Sequence, residues 1–190
     1  MTQLPLILTT ARIFATFPVA YLLTLNSEVM NWIALVIFVL ASITDYYDGY
    51  FARKYNAVTN LGKFLDPVAD KILVSCILIL LLHLNKVDPW MVVLFITRDT
   101  LIGGIRAAAA ADRIIIPAQT TGKWKAAMQM IAIPLLMVND LHPHLPSQKL
   151  GYGLLWFSVL LSMASGWDYI KLYITGLADS NSQKNKKQES

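Results

Sequence analysis

The chain has 190 residues, 56% of them hydrophobic and only 15% charged, with a mean hydropathy of +0.51 and a formal net charge of +4. That balance is far more apolar than a soluble domain of this length carries, and the small positive excess without a basic, aromatic-rich patch gives no footprint for nucleic acid. The single Cys76, inside "ILVSCILILLL", excludes an internal disulfide and reads as a small apolar side chain.

A transmembrane helix takes about 20 mostly apolar residues. Apolar runs set against Gly, Pro, Asn and charged breaks give six spans, at about 5–25, 30–52, 64–84, 89–110, 123–139 and 149–175. The fold class is therefore all-α, a polytopic membrane protein of six transmembrane helices. No positive charge precedes the first run and Arg12 interrupts it, so the run is expected to be a permanent span rather than a secretory leader. Residues 1–178 are expected to form one membrane domain, and 179–190, "DSNSQKNKKQES", a polar tail expected to be disordered in the cytoplasm.

Lys and Arg accumulate on the cytoplasmic face of membrane proteins. Arg12, Arg53, Lys54, Lys63, Arg106, Arg113, Lys123, Lys125, Lys171, Lys184, Lys186 and Lys187 fall on one side of the six-span scheme, against Lys86 and Lys149 on the other. Both termini then face the cytoplasm of the inner (cytoplasmic) cell membrane. So does the stretch "DYYDGYFARKYNAVTNLGKFLDPVAD", residues 45–70.

That stretch carries the chemistry. Asp45 and Asp48 are three apart at the end of the second span, and Asp66 and Asp70 four apart at the start of the third, so each pair lies on one helical face. The short connection makes the two spans antiparallel neighbours, with the pairs able to face each other. Gly49 and Ala52 continue the first stripe and Gly62 precedes the second, which permits close approach of a backbone or ligand. Pro67 either starts the third helix, with Asp66 as its cap, or lies within a helix begun near Gly62.

A carboxylate near the membrane centre costs roughly 2.5 to 3.5 kcal/mol, and four together repel, so they require cations. Two divalent ions balance four carboxylates, and hard oxygen donors suit Mg, Mn or Ca. Simple caps paired with Arg53, Lys54, Lys63 and Lys71 are one alternative, and an ion-coupled transporter is another, because intramembrane carboxylates commonly mark ion pathways.

The pattern Asp45-x-x-Asp48-Gly49-x-x-Ala52-Arg53, then Gly62-x-x-x-Asp66-x-x-x-Asp70, closely resembles the signature of the CDP-alcohol phosphotransferase family, with each fixed position present. Secondary resemblances are "LTTARI", "FLDPVADK", "ITRDTLIGGIRA" and "GKWKAAMQM"; "QLPLILTTAR" lacks the Asn that the family places after the Pro. The resemblance implies an enzyme that displaces CMP from CDP-diacylglycerol, with sn-glycerol 3-phosphate as the acceptor and membrane lipid and a second copy in a homodimer as partners. Rival acceptors within the family are serine, inositol phosphate and phosphatidylglycerol.

By the same resemblance Asp45, Asp48 and Asp66 are ligands of a divalent metal, two ions of Mg2+ or Mn2+, and Asp70 is the general base and a further ligand. Gly49, Ala52 and Arg53, with Thr10 and Arg12, are the nucleotide and diphosphate side. The acceptor's phosphate needs basic groups, for which Arg98, Arg106, Lys123 and Lys125 are the candidates. Asp99 beside Arg98 supplies an alternative, purely structural partner. Gly103 and Gly104 read as helix-packing positions, His83, His142 and His144 as outer-side loop residues, and Asp168 as a polar packing contact.

Overall fold

The computed structural model describes the backbone of residues 4–54, 60–111, 120–138 and 146–188, and the side chains of residues 10–44, 68–69, 71–110, 124–138 and 146–176. Within these residues the chain is six α-helices: α1 (Leu4–Thr24), α2 (Glu28–Lys54), α3 (Asn60–His83), α4 (Pro89–Ala111), α5 (Thr120–Met137) and α6 (Ser147–Gln188). They match the six apolar runs in order, with ends displaced by a few residues. The largest difference is at the C-terminus, where α6 continues to Gln188 through the segment whose composition reads as a disordered tail. Residues 177–188 contain no Pro or Gly, and Lys and Gln are good helix formers.

Local chemistry sets the helix ends. Asn85 adopts a left-handed φ of 57°, the Asn85 amide donates to the Leu82 carbonyl at 3.0 Å, and the Lys86 amide donates to the Leu81 carbonyl at 2.8 Å. This pair of bonds is a Schellman closure of α3, with Asn in the position glycine usually takes. Asn26, with φ 46°, ends α1 by a similar left-handed step. Pro89 opens α4 at the first helical position, where a missing N–H costs nothing. The Lys86 ammonium donates to the Met137 and Val138 carbonyls at 3.3 and 3.5 Å, so the α3–α4 turn satisfies the C-terminus of α5.

The core runs through all six helices. Its largest fully enclosed side chains include Leu23, Phe38, Leu73, Ile77, Leu81, Met91, Ile133, Leu136 and Leu155. On α1 the buried residues Arg12, Thr16, Val19 and Leu23 recur at helical spacing and form one inward stripe. α1 packs on both α2 and α3, while direct α2–α3 contact is slight at most among the described residues. The pairing expected of the second and third spans at their aspartate ends, residues 45–70, lies largely outside the described side chains.

α5 and α6 form the most extensive pair, and α4 lies against α6 and α3. A Cβ at Gly151 would stand 3.0 Å from the Ala132 carbonyl oxygen and from the side chains of Leu135 and Leu136, so this glycine lets α5 and α6 approach backbone to backbone. Pro67 lies inside α3, which begins at Asn60. A proline there cannot donate to the carbonyl of Lys63.

Large apolar side chains also face outward: Phe14, Phe17, Tyr21, Val36, Leu40, Trp90, Trp167 and Ile174 are all exposed. So extensive an apolar exterior is the mark of a lipid-facing or partner-facing surface. Among the described residues one stretch, Ser147–Gly176 of α6, is long and apolar enough to cross a membrane, and the described parts of α2, α3 and α5, Glu28–Thr44, Lys71–His83 and Trp124–Met137, are shorter apolar stretches. In α4 the apolar run is interrupted by three charges, Arg98, Asp99 and Arg106.

Candidate functional site

Asp45 and Asp48 lie on the helical backbone of α2, and Asp66 and Asp70 on that of α3. The helical spacing that puts each pair on one face is therefore present in the backbone. Their side chains, with those of Gly49, Ala52, Arg53 and Lys123, lie outside the described residues. Among the described residues no group of three or more His, Cys, Asp or Glu could hold a metal ion. The four aspartates offer a donor set of hard oxygens alone, which fits Mg2+ or Mn2+ and not a thiolate-seeking metal. Thr10 is exposed near the start of α1, and Arg12, two residues on, is buried with 4% of its surface accessible.

The basic candidates are described in detail, and they do not behave alike. Arg98 is held on three sides by α4 and α6. Its Nε donates to the Ser162 carbonyl at 2.9 Å, its Nη1 to Asp99 Oδ1 at 3.1 Å and its Nη2 to Ser165 Oγ at 3.0 Å. Gly166 faces the same guanidinium, where a Cβ would lie 3.5 Å from Nε. Arg98 therefore clamps α4 to α6, and part of its donor set is committed to the fold.

Asp99 is the hub. Its Oδ1 accepts from Arg98 and also from the Lys125 ammonium of α5, and its carbonyl accepts from the Lys71 ammonium of α3 at 2.8 Å. The side chains of Arg98, Asp99 and Lys125 keep 11%, 19% and 8% of their surface exposed. Lys125 also stands 5.3 Å from the centre of the Phe95 ring, a cation–π contact that helps hold an ammonium in apolar surroundings. Arg106, about two turns further along α4, is exposed. The structure thus brings Arg98 and Lys125 together and leaves Arg106 at the surface of the bundle.

Lys71, Asp99 as a hub, and the serines of α6 were absent from the sequence-level candidates. Ser158, Ser162 and Ser165 are all buried, and Ser158 Oγ reaches the Lys125 carbonyl at 3.4 Å. Their spacing of four and three within an apolar run is a polar stripe on one helical face, a pattern legible without a structure. Gly103, expected to serve helix packing, has a specific neighbour: a Cβ there would overlap Lys71 Nζ. Asp168 is exposed, and so is His83. Among the described residues Asp168 has no contact that explains it.

Residues 2–164 match the family model described as CDP-alcohol phosphatidyltransferase. The chain is 39% identical over 170 residues to the CDP-diacylglycerol–glycerol-3-phosphate 3-phosphatidyltransferase of Rickettsia bellii (strain RML369-C), an alignment covering 89% of this chain and 94% of the relative. It is 40% identical over 146 residues to the protein of that name from Bacillus subtilis (strain 168), covering 77% and 76%, and 27% identical over 216 residues to that of Cereibacter sphaeroides, covering 93% and 98%. With the family model spanning most of its length and relatives near 40% identity, the chain belongs to the CDP-alcohol phosphatidyltransferase family and is an enzyme of that class.

Proposed function

We propose that the protein transfers the phosphatidyl group of CDP-diacylglycerol to sn-glycerol 3-phosphate, giving phosphatidylglycerophosphate and CMP. The names of the relatives support this reading, and so does the aspartate spacing of residues 45–70. The observation that carries the choice of acceptor is the cationic cluster: among the described residues Arg98 and Lys125 meet on the carboxylate of Asp99, and Lys71 on its backbone carbonyl. A phosphomonoester brings about 1.5 to 2 negative charges at neutral pH, which three cations and one anion can balance. Serine brings no such group.

The residues then divide the work. Asp45, Asp48, Asp66 and Asp70 would hold divalent metal, Mg2+ or Mn2+, which when bound neutralises diphosphate charge and stabilises the departing oxygen. Thr10, Arg12, Gly49, Ala52 and Arg53 form the nucleotide side, the small residues leaving room for the nucleotide against α2. Asp70 accepts the proton of the acceptor's hydroxyl as its oxygen bonds to the lipid-side phosphorus, and the bond from that phosphorus to CMP breaks with its electron pair. Lys125, Arg98, Lys123 and, from the bundle surface, Arg106 attract and orient the acceptor's phosphate.

Six spans with the aspartates on the cytoplasmic side place the site where soluble acceptor arrives and CMP leaves. A cysteine introduced at Asn56 should be labelled from the cytoplasmic side alone, and labelling from outside would overturn that orientation. The homodimer implied by the family resemblance belongs to the same reading, and cross-linking in the membrane tests it. The function is tested by CMP release from CDP-diacylglycerol by the purified protein with glycerol 3-phosphate, serine, inositol phosphate or phosphatidylglycerol in turn. Release with glycerol 3-phosphate alone is expected. Release with another acceptor would move the chain to another branch of the family, and no release with any of them would favour an ion-coupled transporter.

A further inference from the structure

The acceptor must be gripped at two ends at once: its phosphate among cations of α4 and α5, and its attacking hydroxyl at Asp70 of α3. The span between those ends is fixed by the glycerol skeleton, so the register of α3 against α4 becomes part of the reaction geometry. Lys71 follows Asp70 directly in the chain, and its ammonium crosses to α4 to donate to the carbonyl of Asp99 at 2.8 Å. The residue whose carbonyl it grips is the one whose carboxylate holds Arg98 and Lys125.

The crossing needs an open path. Gly103 lies one turn beyond Asp99 on α4, and a Cβ there would overlap Lys71 Nζ and lie 3.5 Å from Lys71 Cε. Gly104, its neighbour, has nothing within 4 Å of such a Cβ. The two adjacent glycines therefore differ: one is a passage for the ammonium and the other faces open space. An α4 carbonyl already accepting from its own helix has a second lone pair, which a cation from a neighbouring helix can use without breaking the ladder.

We propose that Lys71 and Gly103 are positioning residues that fix the register of α3 against α4 and so hold Asp70 at the correct distance from the acceptor's phosphate site. This rests on the assignment of glycerol 3-phosphate as acceptor. Neither residue touches the reacting atoms. Misplacement of reacting groups by about 1 Å costs on the order of 100-fold in rate, so loss of the latch acts on turnover far more than on binding.

The test uses purified full-length protein in Gly103→Ala, Lys71→Met and doubly substituted forms, with Gly104→Ala as a control for helix effects. The atom that an added Cβ displaces is the free end of a flexible side chain, so Gly103→Ala moves the ammonium and leaves the backbone in place. The expected result is a fall in kcat of roughly 10-fold to 100-fold in either single variant. In Gly103→Ala, which keeps all three cations, glycerol 3-phosphate affinity, read by calorimetry without turnover, should stay within about 3-fold of the unsubstituted protein, a difference below 1 kcal/mol. The double variant should be no slower than the worse single one, because both remove the same bond. Undiminished kcat in Gly103→Ala, losses that multiply in the double variant, or a Gly104→Ala variant as slow as Gly103→Ala would each overturn the latch. A wrong acceptor assignment is recognised separately, by absence of glycerol 3-phosphate-dependent CMP release in the unsubstituted protein.

Discussion

The two sides of the proposed site are assembled in opposite ways. The acids come from one contiguous stretch, residues 45–70, in which two helices and a short connection set the spacing of four aspartates. The cations come from three helices, Lys71 on α3, Arg98 on α4 and Lys125 on α5, and meet at Asp99. A contiguous motif carries its geometry in its own periodicity. A cluster drawn from distant segments depends on packing, and its members look like separate interfacial charges until the helices are laid together.

The contrast predicts different failures. Replacement on the acid side should damage chemistry, and the largest effect belongs to Asp70→Asn, which keeps the shape and removes the proposed base. A loss of about 100-fold to 10,000-fold in turnover is expected, the usual contribution of a positioned base, with CDP-diacylglycerol binding still measurable. Substantial residual turnover would show that another group takes the proton.

On the cationic side the arginines should separate. Arg98→Gln breaks charge-assisted contacts to Asp99 and α6, each worth roughly 1.5 to 3 kcal/mol, so thermal unfolding in detergent should fall together with acceptor affinity. A variant that keeps full stability would mean that the α4–α6 clamp contributes little. Arg106 is exposed, where charge contacts contribute about 0.2 to 1 kcal/mol, so Arg106→Gln should weaken acceptor affinity less than about 6-fold. A larger loss would shift the phosphate site outward along α4.

The same contrast explains what could be read from the chain alone. Six helices and their order follow from apolar runs and breaks, since Asn26, Asn85 and Pro89 punctuate the chain chemically. The aspartate motif was legible because helical spacing is local. The placement of α1 against both α2 and α3 was not, because a helix's neighbours are chosen by the fit of whole faces rather than by connection length. Arg98 and Lys125 were recognisable as basic groups in apolar segments, but their common partner was not. Asp99 looked like a local mate for Arg98, and nothing in the spacing from 71 to 125 announces that Lys71 and Lys125 reach the same residue. The stripe Ser158, Ser162 and Ser165 was the overlooked sign that α6 turns a polar face toward them.

The central claim, that acids and cations grip different ends of one reaction, is tested most directly at Lys125, whose ammonium is buried beside Asp99 and which the proposed function assigns to the acceptor side alone. The measurement is the apparent affinity of folded Lys125→Gln protein for each substrate. Glycerol 3-phosphate affinity should fall by about 10-fold to 150-fold, equivalent to one charge-assisted contact, with CDP-diacylglycerol affinity unchanged. Loss of lipid affinity with acceptor affinity intact would contradict the account and assign the basic cluster to the nucleotide side.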